Sequence, residues 1–173
     1  MEPIKVWDLC VRVFHWSLAL CVLLNFFVFE EGEDLHQYSG YVACSLVFLR
    51  AIWGFIGTTY ARFSNFWPTR SKLKDEFRTI AEGEITVHIG HSPIGALVML
   101  TMVACIAGLG LTGYLLDTDY FFGSDLMEEI HEIIGNFLMS LVGLHVAAAI
   151  VLSKLEKTNL VSAMITGIKK FKP

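Results

Sequence analysis

Charged side chains are scarce in this sequence of 173 residues. Asp, Glu, Lys and Arg make up 17% of it, whereas 54% is hydrophobic and the mean hydropathy is +0.57. A soluble domain usually has about a quarter of its residues charged. A soluble core of this size could not bury the surplus apolar side chains, which instead form long uninterrupted runs. The composition therefore indicates an integral membrane protein.

Cysteines are few, and none lies in a polar loop. The four of them lie in or beside apolar runs, at Cys10, Cys21, Cys44 and Cys105. A disulfide framework is therefore not expected. A Cys-x-x-Cys-His segment is also missing, so the chain does not attach a c-type haem covalently.

A cleavage site is missing from the first apolar run. The run ends Phe27-Val28-Phe29-Glu30, without the small-residue pattern that signal peptidase requires, and it exceeds the usual apolar length of a signal peptide. We therefore expect a retained transmembrane helix here.

Four segments are long and apolar enough to cross a membrane. They are residues 11–29, 35–56, 93–116 and 130–152, each to within a few residues. Ser92 followed by Pro93 favours a helix start, because proline at the first helical position gives up a donor that has no helical partner. We predict an all-α, integral membrane four-helix bundle that forms a single domain over residues 1–173.

Basic residues are missing from two of the loops, and this absence predicts the orientation. The first and third loops between spans contain nine acidic residues and no Lys or Arg, while all thirteen basic residues lie on the other side. Because positive charge is retained in the cytoplasm, we expect cytoplasmic termini in a bacterial inner membrane. The acidic residues are Glu30, Glu31, Glu33, Asp34, Asp117, Asp119, Asp125, Glu128 and Glu129.

The long central loop, residues 57–90, contains a helical pattern of its own. Leu73, Phe77 and Ile80 recur at helical spacing among charges, which predicts a short amphipathic helix on the membrane surface. We interpret the tail, residues 160–172, in the same way. A solvated basic face that maintains orientation accounts for both segments without any ligand.

Four of the six histidines lie within or at the ends of the predicted spans: His15, His36, His131 and His145. Ionisable groups inside a bilayer are costly and indicate function, although a hydrogen-bonded core histidine would explain any one of them. His131 and His145 lie just under four helical turns apart, so they share a face about 21 Å apart along the axis. His15 and His145 lie toward the cytoplasmic side of their spans, whereas His36 and His131 lie near the outer side. Depth in the membrane therefore pairs His15 with His145 and His36 with His131. Two bis-histidine haems stacked across the bilayer would satisfy all four.

Glycines and arginines accompany these histidines. Gly40 and Gly135 each follow a histidine by four residues and share its face, which leaves room for a flat porphyrin. Helix packing by small residues explains each glycine equally well. Arg12 and Arg50 lie at the depth of the inner pair and could bind haem propionates, although interfacial snorkelling also explains Arg12. Positive charge there should give the inner haem the higher potential.

The sequence resembles bacterial cytochrome b561 over essentially its whole length. The matching segments are Val6-Trp7-Asp8 with Val11-Arg12-Val13-Phe14-His15-Trp16, His36-x-x-x-Gly40, Gly90-His91-Ser92-Pro93-x-Gly95, and His131-Glu132-x-x-Gly135-Asn136 with His145. The related cytochrome b subunits of nickel-iron hydrogenases and formate dehydrogenases share this plan. The resemblance implies a four-helix bundle, two haems b and a quinone as the membrane-side partner.

These features together favour electron transfer between the quinone pool and an outside redox partner. The acidic outer loops would attract a basic periplasmic protein, such as a c-type cytochrome or a redox enzyme subunit. A quinone is expected on the cytoplasmic half, at His91 or Ser92. A metal site at His88 and His91 is not expected, since no carboxylate or cysteine cluster joins them.

Two other functions agree less well with these features. A superoxide oxidase that reduces quinone would benefit from a positive funnel for its anionic substrate, and the acidic outer loops argue against it. A haem-free anchor or assembly protein would not need four histidines at matching depths. We expect no nucleic-acid partner.

Overall fold

Four long helices dominate the computed structural model, which describes residues 3–84 and 86–171. They are α1 (Leu9–Phe27), α2 (Asp34–Ile56), α5 (Pro93–Leu116) and α6 (Asp125–Leu155). Shorter elements are β1 (Ile4–Lys5), α3 (Phe63–Phe66), α4 (Arg70–Ala81), α7 (Leu160–Thr166) and β2 (Ile168–Lys169). All four long helices are long and apolar enough to cross a membrane, which confirms the predicted all-α membrane bundle.

The helix boundaries follow the sequence prediction closely except at α6. This helix begins at Asp125 rather than at residue 130 and ends at Leu155 rather than at residue 152. Asp125 and Glu128 lie in its first turn, where acidic side chains interact favourably with the helix dipole. Hydrophobicity alone marks the apolar part of a helix and therefore missed this charged extension.

The described chain divides into two compact units, and each of the four long helices contributes to both. The first unit comprises the described parts of residues 1–12, 52–100 and 143–173, and the second comprises residues 13–51 and 101–142. Whether the chain behaves as one domain stays a prediction.

The second unit is a helical core. Ala43, Ile106 and Leu138 are buried together, one from each of α2, α5 and α6. A Cβ atom at Gly110 of α5 would overlap the Sγ atom of Cys44, so only glycine lets these two helices pack at this distance. Small residues at such contacts allow close helix approach in membranes.

The first unit joins the two ends of the chain. β1 and β2 pair antiparallel, with Ile4 opposite Lys169. The carbonyl oxygen of Gly167 accepts hydrogen bonds from the backbone N–H groups of Val6 and Trp7, at 2.9 and 3.1 Å. The N-terminal and C-terminal segments therefore lie at the same end of their helices, as an even number of spans requires.

The amphipathic prediction is confirmed as a helix for the central loop and is wrong for part of the tail. In α4 the side chains of Phe77 and Ile80 are exposed, so its apolar face is available to a membrane surface. The tail helix α7 ends at Thr166 and is capped by Gly167, whose φ of +83° favours glycine. The chain then continues as β2, because a left-handed residue ends a helix; Lys172 lies outside the described residues.

Asp8 connects three segments of the first unit. Its Oδ1 atom caps α1 by accepting the backbone N–H of Val11 at 2.8 Å. Its Oδ2 atom accepts Nε1–H of Trp53 at 3.1 Å and the hydroxyl of Thr58 at 2.6 Å. Burial acts to raise the pKa of Asp8, but the accepted hydrogen bonds, that of Thr58 first, lower it below the ordinary value of 3.8.

We expect Asp8→Asn to destabilise the protein by roughly 1–2 kcal/mol at neutral pH. The amide has only one accepting oxygen and no negative charge, so it cannot replace both carboxylate oxygens as hydrogen-bond acceptors. Since the pKa of Asp8 is lowered by folding, its contribution is present above pH 3.8 and is lost as the pH falls through the folded pKa. The difference in unfolding midpoint between wild type and variant, measured in detergent, should therefore shrink in acid. Asp119→Asn, at an exposed carboxylate, is the control; an equal effect of both variants would contradict the role of Asp8.

Candidate cofactor site

Two histidine rings face each other in the second unit. His36 lies in the first turn of α2 and His131 near the start of α6; both are half-buried. Their ring centroids are 6.2 Å apart and the ring planes are inclined by 53°. A metal held between two imidazoles needs about 2.0 Å to each nitrogen and about 1.1 Å more to each ring centre, which adds to about 6 Å. The observed separation therefore suits two ligands on opposite sides of one metal ion.

The ring nitrogens of this pair have different surroundings. Nδ1 of His131 lies 2.8 Å from the hydroxyl oxygen of Thr112 on α5. Nδ1 of His36 is buried and has no hydrogen-bond partner among the described residues. The ring of His131 packs against α5 beside Gly113, where an added Cβ atom would lie at an ordinary contact distance of 3.5 Å from Cε1. The ring of His131 is thus oriented by Thr112, whereas Nδ1 of His36 lacks a hydrogen-bond partner among the described residues.

The two glycines predicted beside this pair each have room for a Cβ atom. A Cβ atom at Gly40 would have Asn25 Nδ2 as its nearest neighbour at 3.8 Å, and one at Gly135 would have Leu109 Cδ2 at 4.0 Å. Gly110, by contrast, is filled by Cys44. Close helix packing therefore explains Gly110 but does not explain Gly40 or Gly135, where the missing side chain leaves room for a flat group.

These observations fit a haem. Among residues 3–84 and 86–171, no group of three or more His, Cys, Asp or Glu side chains could hold a metal ion. A haem iron needs only axial protein ligands, because the porphyrin supplies the remaining ones. Two facing imidazoles, a buried imidazole nitrogen without a described partner and unfilled space at two glycines meet those requirements.

The second predicted pair is divided between the two units. His15 belongs to the unit of residues 13–51 and 101–142, and its ring packs edge-on against Trp16 at 5.0 Å. His145 belongs to the other unit and is exposed. The pairing of His15 with His145 therefore stays a prediction from sequence.

The two arginines are placed differently. Arg12 donates a hydrogen bond from its NH1 atom to the carbonyl oxygen of Ile165 at 2.6 Å, which ties α1 to α7. Its Nε atom is buried without a hydrogen-bond partner among the described residues. Arg12 is thus held by the protein rather than merely extended to the interface. Arg50 is 6% exposed on an apolar helix; binding of propionates by either stays a prediction.

His91 and Ser92 lie in the first unit, beside the start of α5. The ring of His91 packs against those of Trp7 and Phe66, each with a centroid distance of 4.7 Å. Ser92 accepts the backbone N–H of Gly95 at 3.0 Å and so caps α5, as the Ser-Pro pair predicted. A cleft of about 360 Å³ borders His91. Its other lining residues are Asn65, Phe66, Lys72, Asp75, Glu76, Thr79, Thr86, His88 and Pro93.

Sequence reasoning missed the polar partners of this region. Glu76 of α4 accepts the backbone N–H of Ile94 at 2.7 Å and lies 3.5 Å from Nε2 of His88. A carboxylate therefore does approach His88, contrary to the sequence-based assumption. Lys169 forms a buried ion pair with Glu156 at 3.0 Å. Nothing in the spacing of these residues reveals such contacts, because the partners are far apart along the chain.

Thr112 and Asn25 were also missed. Each is an uncharged polar residue in an otherwise apolar span, and that rarity is the signal that could have drawn attention to them. Thr112 contacts His131, while Asn25 lies beside Gly40 with its Oδ1 atom buried and without a hydrogen-bond partner among the described residues.

Four apolar spans with facing histidines are typical of multi-pass membrane cytochromes, in which side chains on neighbouring helices hold the cofactor. The chain belongs to the prokaryotic cytochrome b561 family, whose pattern matches residues 6–167. Membership of a b-type cytochrome family implies haem b as the cofactor.

One curated relative resembles the chain along nearly its whole length. A probable Ni/Fe-hydrogenase B-type cytochrome subunit of Rhodobacter capsulatus is 23% identical, over 98% of this chain and 82% of the relative. No solved structure matches the chain.

We expect Gly135→Leu to lower haem content while leaving the apoprotein stable, because a Cβ atom fits there without a clash and the longer side chain would compete with the porphyrin for the same space. Gly110→Leu is the matched comparison: it should destabilise the fold itself, by about 1–3 kcal/mol for an overpacked contact. Haem per chain and thermal unfolding of protein from haem-depleted cells distinguish the two effects. A Gly135→Leu protein with full haem content would show that the space beside this glycine is not used by haem.

Proposed function

We propose that the chain is a transmembrane dihaem b-type cytochrome of the bacterial inner membrane, which passes electrons between quinone and a redox protein at its acidic face. The observation that carries the proposal is the facing pair His36 and His131, with ring centroids 6.2 Å apart. Haem b, when bound, supplies an iron that accepts and releases one electron at a time. His36 and His131 would hold this iron, and Gly40 and Gly135 would leave room for the porphyrin.

A second haem would be held by His15 and His145. The support is the helical spacing of His131 and His145 on one face of α6, which places the two ligand positions about 21 Å apart along the helix. Arg12 and Arg50 would bind propionates, since guanidinium groups pair strongly with carboxylates. The burial of Arg50 supports this role, because a buried cation is stabilised by a nearby anion.

A quinone would bind beside the start of α5. Support comes from the cleft of about 360 Å³, which falls within the usual size of a ligand pocket. His91 is held there between two aromatic rings. Ser92 already accepts a hydrogen bond from Gly95, so its hydroxyl proton is left to donate to a quinone oxygen.

The outside partner would be a basic redox protein or the basic face of a redox enzyme subunit. All nine acidic residues of the two outer loops are exposed, and they belong to the same unit as His36 and His131. The relative from Rhodobacter capsulatus is named as a subunit of a hydrogenase. A subunit of an enzyme complex needs a docking face, and a strongly acidic one attracts a basic surface.

His36→Ala and His131→Ala should each remove the same haem, because either change takes away one of its two axial ligands. His15→Ala and His145→Ala should each remove the other. Haem per chain and a redox titration of each purified variant measure this. His88→Ala is the control, since His88 belongs to neither pair, and it should keep both haems. If His131→Ala retained both haems, or lost the one that His15→Ala loses, the assignment of ligands would be wrong.

Electron exchange with a basic c-type cytochrome should slow as salt rises, because screening shortens the acidic field to about 8 Å at physiological ionic strength. Joint replacement of Glu30, Glu31, Glu33 and Asp34 by their amides should slow the exchange about tenfold or more at low salt. Stopped-flow absorbance measures the rate.

The matched control for this experiment replaces Glu82 and Glu84, which are exposed acidic residues of the central loop. Those changes should leave the rate unaltered. If the rate of electron exchange depended on neither the salt concentration nor the outer-loop substitutions, electrostatic docking at this face would be excluded.

A further inference from the structure

Thr112 is a buried hydroxyl in a span without charge. It is 7% exposed and lies on α5. Its Oγ1 atom is 2.8 Å from Nδ1 of His131, and it is also 3.0 and 3.2 Å from the carbonyl oxygens of Gly108 and Leu109 in its own helix. One hydroxyl therefore contacts two backbone acceptors and one imidazole nitrogen.

The donors and acceptors in this arrangement can be assigned from their chemistry. A carbonyl oxygen only accepts, and a threonine hydroxyl has a single proton with two lone pairs. The hydroxyl proton directed at the carbonyl oxygens leaves a lone pair facing His131, so Nδ1 of that histidine carries the proton and donates. The neutral ring then has its free lone pair on Nε2.

We propose that Thr112 is the positioning residue that fixes the tautomer and the ring orientation of His131, so that Nε2 is presented to the iron. This inference rests on the proposed function, in which His131 is an axial ligand. The ring also packs against α5 beside Gly113, where an added Cβ atom would lie 3.5 Å from Cε1 of His131. A ligand histidine commonly donates its other ring N–H to a neighbouring acceptor, which orients the ring and makes it a stronger ligand.

Loss of such an acceptor has two consequences. Metal affinity falls by about 10- to 100-fold when a partner of this kind is removed. The imidazole also becomes a poorer electron donor, and this disfavours the ferric state. The haem bound by His131 should then have a higher midpoint potential and should dissociate faster.

Thr112→Val tests the inference in the haem-loaded protein in detergent, because valine keeps the shape of threonine and removes the hydroxyl. The readouts are the midpoint potential of each haem, the low-spin electron paramagnetic resonance signal of the ferric haems, and the rate of haem transfer to an apoprotein scavenger. We expect one haem to change in its midpoint potential, its resonance signal and its transfer rate, which should rise about 10-fold or more. The other haem should keep its wild-type values. Thr112→Ser should restore the wild-type values.

Thr118→Val provides the control for a lost threonine hydroxyl. The Thr118 hydroxyl donates to the backbone oxygen of Leu115, so its loss should leave both haems unchanged. A Thr112→Val protein with wild-type potential, spectrum and transfer rate would overturn the inference if His131→Ala still loses a haem. Failure of Thr112→Ser to restore the values would also overturn it, because the methyl group rather than the hydroxyl would then matter. Full haem content in His131→Ala would overturn both the proposed function and this inference.

Discussion

The second unit depends on the placement of two imidazole rings among apolar helices. Polar groups in such surroundings are costly unless they have partners, and the rings of His36 and His131 are held with centroids 6.2 Å apart rather than in direct contact. Three glycines and one hydroxyl group lie around the two rings. α5 places Gly113 next to the ring of His131 and the hydroxyl of Thr112 next to its Nδ1 atom, while Gly40 and Gly135 each have room for a Cβ atom. Packing between the helices alone therefore does not account for the separation of the two rings.

The first unit is held together by hydrogen bonds and ion pairs between polar side chains. Its polar groups are numerous, and several of them pair with one another: Asp8 accepts from three segments, and Glu76 both caps α5 and lies beside His88. Lys169 is nearly buried, and it pairs with Glu156 and donates to the carbonyl oxygen of His88. Breaking one partner of such a buried pair leaves an uncompensated charge, which is strongly destabilising. This network gives the C-terminal strand a fixed place beside the loop that leads into α5.

The sequence predicted what hydrophobicity and helical periodicity can encode. The four spans, the start of α5 at Pro93 and the amphipathic helix α4 were all predicted, because each depends on residues close together along the chain. The pairing of β1 with β2 was not, since two-residue strands carry no periodic signal and their partners are far apart in sequence. The facing of His36 and His131 was predicted from depth along the helices, whereas the contact of Thr112 with His131 depends on the rotation of α5 about its axis. Hydrophobicity does not specify that rotation in a span that is apolar on every side.

The acidic outer loops combine two roles that can be separated residue by residue. Asp34 lies in the first turn of α2, and Asp125 and Glu128 lie in the first turn of α6; there, each stabilises its helix through the dipole. The remaining acidic residues are Glu30, Glu31, Glu33, Asp117, Asp119 and Glu129. Among the described residues, none of these six side chains makes a hydrogen bond or an ion pair within the chain. Acidic residues contribute little to membrane orientation, so neither helix capping nor topology accounts for this group. A concentration of exposed negative charge without hydrogen bonds or ion pairs among the described residues destabilises its own surroundings by repulsion, and a basic surface docked over it would relieve that repulsion.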